Sequence, residues 1–576
     1  MGPSKRELYL IRLYVTLACC VGPAVAAQKP IVKLLSVPVA MRDGVRLAAN
    51  VFLASERARV PAILLRTPYG KGADITPNYQ AFVEHGYAIV VEDVRGRYES
   101  EGAFQPLTQE VHDGDDTLNW IARQPWSNGK IGMMGGSYVG IVQWKAALAN
   151  NPHLKAIFPV VSGNDDYRDR YYSTGGALKL GHRLGWMAEN MRAPGYHQDF
   201  SQFVLHLPVR SADLAALGWE SPMYQEVMEH PSFDTFWRAI STREQLDKVR
   251  VPVFAVGGWY DGSVQSDLEA FAALRKRSGV NRVLVGPWAH NMSAPFEHAN
   301  FGADARVPVR ELQLEWFDQW LMGRDSPLLS RPPAKLFVMG SNLWREEREW
   351  PPSDARPKSF YLESAGTANS LAGDGVLGDK PPRKATVADQ FIFDPYSPVP
   401  TRGGAECCNP KVFPWGPMDQ RPVEVRKDVL VYTTRPLKHP VEAIGGVQAV
   451  LYVASSARDT DFTAKLVDVF PDGEARNLTD GILRLRYRNT LEKPELAKPG
   501  EIYRVTVDAG VTANLFLKGH RIRLEISSSN FPRFDRNSNT GGAVEQAARL
   551  VKASQTVYHD SAHPSCLVLM VMPGKG

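Results

Sequence analysis

The chain has 576 residues, of which 44% are hydrophobic and 22% are charged, a composition typical of folded globular proteins. This length exceeds what a single hydrophobic core supports, so two or three domains are expected. The formal net charge is only +5 and no long basic run occurs, which argues against nucleic acid as a partner.

Residues 1–26 have the features of a secretory signal peptide. Three basic residues precede the apolar run LYVTLACCVGPAVA, whose last three residues form a small-residue cleavage site. The run is shorter than the roughly 20 residues that span a bilayer, so stable membrane insertion is not expected. The sequence therefore predicts an exported protein, either periplasmic or secreted. A lipid attached to Cys20 is the alternative.

The next region, residues 30–162, alternates short apolar runs with helix-like stretches. The runs PAILLRTPYG, YAIVVEDVRG and KIGMMGGS are typical of buried strands, and TLNWIARQPW and IVQWKAALAN are typical of helices. The alternation resumes over residues 247–350 with VPVFAVGGWYDG and NRVLVGPWAHN. Such alternation predicts an α/β fold with a mostly parallel sheet.

Two further regions differ in composition from this α/β pattern. Residues 163–246 are rich in Tyr, Trp, Met, His and Arg with helical spacing, which predicts an inserted helical cap or, alternatively, a loop-rich lobe. Residues 351–576 contain short alternating strands such as VQAVLYVASSA, FTAKLVDVF and HRIRLEISSS, separated by turn signals. This spacing predicts a C-terminal β-sandwich, for which we expect a jelly roll.

Ser137 lies in the stretch GGSYVG, between a predicted strand and a predicted helix. A serine on such a turn is the nucleophile position of α/β-hydrolases, whose motif is G-x-S-x-G. Here the second glycine comes one place late, so the stretch alone fits a nucleophile elbow and a glycine-rich turn equally well.

A nucleophilic serine needs a base and a carboxylate that orients the base. Asp261 ends one predicted strand and His290 follows another, which gives the α/β-hydrolase order Ser, Asp, His. Asp-Gly is a common turn and a lone histidine is often a loop residue. Three strand ends that carry the right residues in the right order nevertheless favour a catalytic triad of Ser137, Asp261 and His290.

The motifs together resemble a family of serine hydrolases. This family groups Xaa-Pro dipeptidyl peptidases with cocaine esterases, glutaryl cephalosporin acylases and α-amino acid ester hydrolases. The resemblance rests on the segments PVAMRDGVRLAANVF, RTPYGKG, VEDVRGRYESEGAF, GKIGMMGGSYVGIVQW, GGWYDG, GPWAHN and GPMDQRPVEVRKDVLVYTT. It covers nearly the whole chain after the signal peptide. In this family the elbow reads G-x-S-Y-x-G, so the late glycine is the family's own form and Ser137 is implied as the nucleophile.

The resemblance also implies an oxyanion hole, which is formed by the Tyr138 backbone N–H and the Tyr69 hydroxyl. Both would stabilise the charge that develops on the substrate carbonyl oxygen. One departure stands at Tyr98, where relatives usually have glycine. Glycine permits backbone angles that tyrosine tolerates poorly, so a different loop is expected there.

Candidate substrate-binding residues are Arg168, Arg170 and Trp259. Relatives that act on α-amino acid esters place carboxylates just after the triad aspartate, whereas Asp261 is followed by Gly-Ser-Val. The two arginines could hold a carboxylate in a bidentate fork, or could merely pair with neighbouring aspartates. We therefore expect neutral or acidic acyl groups to be preferred over α-amino acyl groups.

The sequence thus predicts a serine hydrolase that cleaves small esters, amides or short peptides and needs no cofactor or metal. The segment HDGDD, residues 112–116, is interpreted as a solvated turn and helix start rather than a metal site. An Xaa-Pro dipeptidyl peptidase and a non-catalytic carbohydrate- or ligand-binding protein are the alternative functions. The oligomeric state stays open, with a homo-oligomer among the alternatives.

Three cysteines remain after the predicted signal peptide: Cys407, Cys408 and Cys566. In an oxidising compartment the two neighbours could pair, or one of them could pair with Cys566. Because the number is odd, at least one thiol is expected to stay free or to pair between molecules.

If the signal peptide is removed at the predicted site, the mature protein begins near Ala27 or Gln28. The intact mass of the exported protein measures this directly. A diacylglyceryl adduct on Cys20 would instead identify a lipoprotein and contradict the prediction.

Overall fold

The computed structural model describes residues 31–407 and 410–574, so the predicted signal peptide and Cys408 lie outside the described residues. The first sheet consists of β1 (Val32–Ala40), β2 (Arg46–Leu53), β3 (Val60–Thr67), β4 (Ala88–Asp93), β5 (Ser127–Gly136), β6 (Leu154–Val160), β7 (Phe254–Tyr260), β8 (Arg282–Ala289), β9 (Ala334–Val338) and β10 (Leu343–Glu347). Their order across the sheet is β1-β2-β4-β3-β5-β6-β7-β8-β9-β10. The strands from β4 to β9 run parallel, whereas β1, β2 and β10 pair antiparallel.

Helices cover both faces of this sheet, which is why central strands such as β4 and β8 are buried along their whole length. The α-helices are α1 (Pro77–Glu84), α2 (Glu110–Arg123), α3 (Tyr138–Leu148), α4 (Leu180–Met191), α5 (Phe200–Phe203), α6 (Ala212–Leu217), α7 (Pro222–Glu229), α8 (Thr235–Ile240), α9 (Val264–Arg275), α10 (Val309–Phe317) and α11 (Arg421–Glu424). Helices α4 to α8 lie in the segment between β6 and β7, where the sequence predicts helices. The prediction of an α/β fold is confirmed.

The C-terminal region is all-β except for short helical segments. Its strands are β11 (Arg356–Glu363), β12 (Val376–Gly378), β13 (Asp389–Phe393), β14 (Leu430–Thr433), β15 (Val441–Ser455), β16 (Asp461–Val469), β17 (Ala475–Arg484), β18 (Tyr503–Phe516), β19 (Arg521–Ser527), β20 (Ala553–Tyr558) and β21 (Cys566–Val571). Except for one short parallel contact between β12 and β14, the strands pair antiparallel. The predicted all-β character of this region is confirmed.

The all-β region packs against both the α/β sheet and the segment that carries α4 to α8. Past the end of β9, the Met339 N–H donates to the Ala513 carbonyl at 3.0 Å. At the start of α4, the Gly181 N–H donates to the Pro532 carbonyl at 2.8 Å. Backbone hydrogen bonds therefore hold the three regions together at the edge where β7 and β8 end.

Cys407 is disulfide-bonded, and Cys566 is a free, buried thiol. The alternative in which Cys566 closes the bond is therefore wrong. Within the described residues, the helices are all too short or too polar to cross a membrane.

A buried ionic cluster lies beneath the carboxyl ends of β3 and β4. The Arg66 side chain is completely buried, and its guanidinium contacts Glu92 at 2.7 Å and Glu110 at 2.5 Å. Thr117 on α2 also donates to Glu92, at 2.9 Å. Burial raises the pKa of Glu92 to about 7, although Arg66 opposes this shift.

The raised pKa of Glu92 predicts a pH-dependent stability. Between pH 4.5 and 7 the folded protein holds a proton that the unfolded chain has lost, so this contribution is complete below pH 4.5 and is lost as pH rises through about 7. Glu92→Gln mimics the protonated acid and removes the contribution of Glu92 to the pH dependence. Between pH 5 and pH 8 the unfolding free energy of the wild type should therefore fall by up to about 3 kcal/mol relative to that of Glu92→Gln.

Urea unfolding at the two pH values measures this shift. Glu56→Gln changes an exposed carboxylate and serves as the matched control, which should follow the wild type. A Glu92→Gln variant whose stability falls with pH as steeply as the wild type would contradict the assignment.

Candidate active site

Ser137 lies between β5 and α3 in a left-handed backbone conformation, with φ 57° and ψ −127°. The turn is tight because two glycines allow close approach. A Cβ on Gly135 would stand 2.3 Å from the Val139 side chain, and one on Gly140 would stand 2.5 Å from the Ser162 Cβ atom. The late glycine of the motif is therefore required by the packing of α3 against the loop after β6.

The structure brings the three predicted triad residues together. The Ser137 hydroxyl is 2.9 Å from His290 Nε2, and His290 Nδ1 is 2.6 Å from Asp261 Oδ2. Asp261 follows β7 directly and His290 follows β8 directly, so both lie at the same edge of the sheet as Ser137. A hydroxyl, an imidazole and a carboxylate in this order can carry out nucleophilic acyl transfer.

Asp261 is buried and its carboxylate is held in one orientation. Burial disfavours its ionised form, but His290 and the hydrogen bonds from Ser263 outweigh this and hold the pKa of Asp261 below its usual range. The Ser263 backbone N–H donates to Oδ1 at 3.0 Å and its hydroxyl donates to the same oxygen, which leaves Oδ2 for His290. The carboxylate can therefore fix the orientation of the imidazole.

Tyr69 and Tyr138 approach Ser137 in different ways. The Tyr69 hydroxyl accepts a hydrogen bond from Trp186 Nε1 at 3.1 Å, which leaves its own proton free to be donated. Tyr138 is the first residue of α3, where a backbone N–H has no partner within the helix. The Tyr138 side chain is buried and its hydroxyl donates to Glu110 at 2.7 Å, which ties the turn to the Arg66 cluster.

Ser137 opens onto a cavity of about 600 Å³ between the α/β sheet, α4 and Cys407. The other predicted residues on its wall are Tyr69, Tyr138, Arg170, Asp261 and His290. The cavity brings these predicted residues together in one chamber.

Arg168 and Trp259, the other two residues that the sequence predicts to bind substrate, do not border the described wall of this cavity. Both border a neighbouring cavity of about 680 Å³ on the other side of Asp261. Arg168 pairs with Asp165 at 3.4 Å, and the buried Trp259 donates its Nε1–H to the Phe337 carbonyl at 2.7 Å. The sequence placed Arg168 near the site, but the π-helical turn at residues 166–171 directs alternate arginines to different cavities.

Sequence reasoning missed three cavity residues on α4: His182, Arg183 and Trp186. Trp186 stacks parallel to Tyr138, with ring centroids 6.2 Å apart. The pKa of His182 is well below its usual range, because burial and then the neighbouring Arg183 disfavour its charged form. In the sequence, the helical spacing of this region was the only signal for these residues. It did not show which face of α4 borders the cavity.

The described residues contain no group of histidine, cysteine or acidic side chains that could hold a metal ion. The segment 112–116 lies inside α2, so the predicted turn is wrong while the predicted helix is correct. Arg42 pairs with Asp115 at 2.6 Å and with Asp116 at 2.9 Å, whereas Asp113 is buried against Arg95. These acidic side chains therefore neutralise arginines.

Tyr98 adopts the glycine-like backbone that its position implies, with φ 49°. Its exposed ring lies against Gly70, next to Tyr69, and Arg97 lies 5.3 Å from the ring centroid. The loop therefore keeps the left-handed conformation although the residue is tyrosine.

A nucleophile elbow and a hydrogen-bonded Ser-His-Asp chain at the carboxyl edge of a mostly parallel sheet define a serine hydrolase of the α/β-hydrolase type. Residues 43–292 match the family model of the X-Pro dipeptidyl-peptidase (S15 family). Residues 329–568 match that of the X-Pro dipeptidyl-peptidase C-terminal non-catalytic domain. The chain belongs to this family, so the resemblance seen in the sequence is confirmed.

Similar proteins agree on this family. The cocaine esterase of Rhodococcus sp. (strain MB1 Bresler) is 41% identical over 93% of this chain and 98% of its own length. The structure of an α-amino acid ester hydrolase superposes with a TM-score of 0.83 and 26% identity, covering 97% of this chain and all of the other. An aminopeptidase from a marine sediment archaeon, Thaumarchaeota archaeon, has a TM-score of 0.82 at 25% identity, over 95% and 97% of the two chains.

Replacing the Tyr69 hydroxyl should lower turnover without altering the fold. If Tyr69 is an oxyanion donor, as the family resemblance implies, Tyr69→Phe should lower kcat by about 10²–10³-fold with a smaller change in KM. Steady-state hydrolysis of 4-nitrophenyl butyrate measures both constants. Tyr79→Phe, on α1 outside the cavity, is the matched control. An unchanged kcat in Tyr69→Phe would limit this residue to packing against Trp186.

Proposed function

We propose that the protein is an exported serine acyl hydrolase that cleaves carboxylic esters through an acyl-enzyme on Ser137. The observation that carries the proposal is the hydrogen-bonded chain from Ser137 through His290 to Asp261, which opens onto the cavity. Similarity to a cocaine esterase and to an α-amino acid ester hydrolase supports an ester as the substrate. Export rests on the signal-like residues 1–26.

In the first half of the reaction, His290 Nε2 takes the proton of the Ser137 hydroxyl as Oγ attacks the substrate carbonyl carbon. The carbonyl oxygen gains negative charge and accepts hydrogen bonds from the Tyr138 N–H and the Tyr69 hydroxyl. The Asp261 carboxylate stabilises the imidazolium that forms, because its Oδ2 atom accepts the Nδ1–H bond.

The tetrahedral intermediate then collapses. His290 returns its proton to the leaving alcohol, and the acyl group stays bound to Ser137 Oγ. In the second half a water molecule gives a proton to His290 as its oxygen attacks the acyl carbon. The bond from this carbon to Ser137 Oγ then breaks, and His290 returns the proton to Oγ, which releases the carboxylic acid and restores the serine hydroxyl. No group beyond the triad and the two oxyanion donors is needed for these steps.

The family model also raises an Xaa-Pro dipeptidyl peptidase as a second function. Such an enzyme needs an acidic group to bind the N-terminal ammonium of a peptide. Among the described residues, the cavity wall has two carboxylates, and Asp261 is hydrogen-bonded to His290. Asp169 accepts hydrogen bonds from the Asn164 N–H and the Ser266 hydroxyl, so it is also occupied. This arrangement favours the esterase.

A non-catalytic binding protein is the third alternative. The Ser137 backbone lies in a strained conformation that costs roughly 1–3 kcal/mol and serves no purpose in a protein that only binds. Retention of this conformation together with the complete Ser-His-Asp chain argues for catalysis.

Ser137→Ala should abolish ester hydrolysis and labelling by a fluorophosphonate, because both reactions need the Oγ nucleophile. A loss of about 10⁴-fold or more in kcat is expected, as for other serine hydrolases that lose the nucleophile. Intact-mass spectrometry after fluorophosphonate treatment and a 4-nitrophenyl butyrate assay measure the two effects.

Ser341→Ala is the matched control, since Ser341 lies beyond β9 and its hydroxyl donates to the Val338 carbonyl at 3.0 Å. It should be labelled and should turn over like the wild type. Substantial hydrolysis by Ser137→Ala, or wild-type protein that takes up no label, would refute the mechanism.

A further inference from the structure

Among the residues that the structure describes, Arg183 is a buried cation without a carboxylate partner at ion-pair distance. Its residue is 6% exposed, lies on α4 and borders the cavity that contains Ser137. Its Nη2 atom donates to the Arg170 carbonyl at 3.2 Å, and its buried Nε finds no hydrogen-bond partner in the described part of the chain.

Arg183 is held in a fixed orientation by aromatic rings. Its guanidinium carbon lies 4.1 Å from the centroid of the Tyr171 ring and 5.5 Å from that of Trp186. Stacking uses the faces of a guanidinium and leaves its N–H edges available, which is the geometry that binds a carboxylate through two hydrogen bonds. The arginine is therefore preorganised for an anion.

Arg170 places a second incompletely paired guanidinium on the same wall. Its Nη2 atom donates to the Ser162 carbonyl at 2.9 Å, while its buried Nε and Nη1 atoms have no hydrogen-bond partner among the described residues. Nη1 lies 3.3 Å from Asp166, but that carboxylate is already bound by the Lys145 ammonium. One carboxylate thus faces two cations here.

The carboxylates on the described part of the cavity wall are hydrogen-bonded to groups other than Arg183. Asp261 is engaged by His290, and Asp169 by its own loop and Ser266. His182 has no hydrogen-bond partner in the described part of the chain, and it can donate to a ligand as a neutral imidazole. An unpaired buried charge is costly, so a group that brings an anion into the cavity would be bound strongly.

We propose that Arg183, assisted by Arg170, binds a carboxylate of the substrate, so that the preferred substrates are esters that carry a free carboxylate. The reaction at Ser137 in this inference rests on the proposed function. The anion could be part of the acyl group, as in half-esters of dicarboxylic acids, or of the leaving alcohol. In both cases a carboxylate would bind the Arg183 guanidinium, and the experiments below distinguish the two positions of the carboxylate.

Two pairs of esters test the wild-type enzyme. In the acyl arm, 4-nitrophenyl hydrogen adipate is compared with 4-nitrophenyl hexanoate, since a six-carbon chain disfavours self-cleavage by the free carboxylate. In the leaving-group arm, 4-carboxyphenyl hexanoate is compared with 4-carbamoylphenyl hexanoate. We expect kcat/KM to favour the acid by about 30-fold or more in one pair. Ratios near one in both pairs would overturn the proposal.

Variants then locate the preference. In Arg183→Met the acid-to-neutral ratio of kcat/KM should fall by at least about tenfold, and Arg183→Lys should retain an intermediate ratio because it keeps the charge but not the fork. Arg168→Met is the matched control, because Arg168 lies in the neighbouring cavity, and it should keep the wild-type ratio. An Arg183→Met enzyme with the wild-type ratio would refute the assignment.

Binding without turnover separates this proposal from the proposed function. Calorimetry on Ser137→Ala should show binding of adipate or 4-hydroxybenzoate, but not of adipamide or 4-hydroxybenzamide. In Ser137→Ala/Arg183→Met the affinity for the bound acid should fall by about tenfold or more. If the wild type cleaves none of the esters yet these acids bind, only the hydrolase function fails. If it cleaves neutral esters and neither acid binds, only the carboxylate site fails.

Discussion

The backbone of Ser137 lies in a left-handed conformation that a serine adopts only when its surroundings impose it. Three contacts impose it here: the Ser137 N–H donates to the Val160 carbonyl at 2.9 Å, and both Gly135 and Gly140 let neighbouring side chains approach closely. The strain lifts the hydroxyl out of the sheet towards His290. The remaining features of the site depend on this turn being held rigidly.

Buried charge supplies much of that rigidity. The Tyr138 hydroxyl joins the elbow to Glu110, and Glu110 is bound by Arg66 beneath the sheet edge. Further along α3, the buried Lys145 ammonium binds Asp166, which lies in the same π-helical turn as Arg170. One helix therefore connects the nucleophile both to the α/β core and to the residues that border the substrate cavity. Removing a single partner would leave an uncompensated buried charge, which proteins tolerate poorly.

The triad could be predicted because its residues follow buried strands, and the carboxyl ends of parallel strands share one edge of the sheet. Ser137, Asp261 and His290 each follow such a strand, and the structure places them within hydrogen-bond distance. Arg168 and Arg183 could not be assigned in this way. They lie on helical segments, and α4, which carries Arg183, contacts the all-β region through the Gly181 N–H and the Pro532 carbonyl. The sequence does not encode such a contact locally.

The sequence by itself determined the alternation of strands and helices, the all-β character of the C-terminal region and the order of the chemical groups, because hydrophobic periodicity and strand-end residues are local signals. Only the tertiary structure decided which cations border the cavity. Arg168 and Arg170 are two residues apart, yet the π-helical turn gives them different cavities. Arg183 borders the same cavity as Arg170 because α4 packs over Ser137. Whether a buried charge has a partner depends on all of its spatial neighbours, which only the tertiary structure brings together.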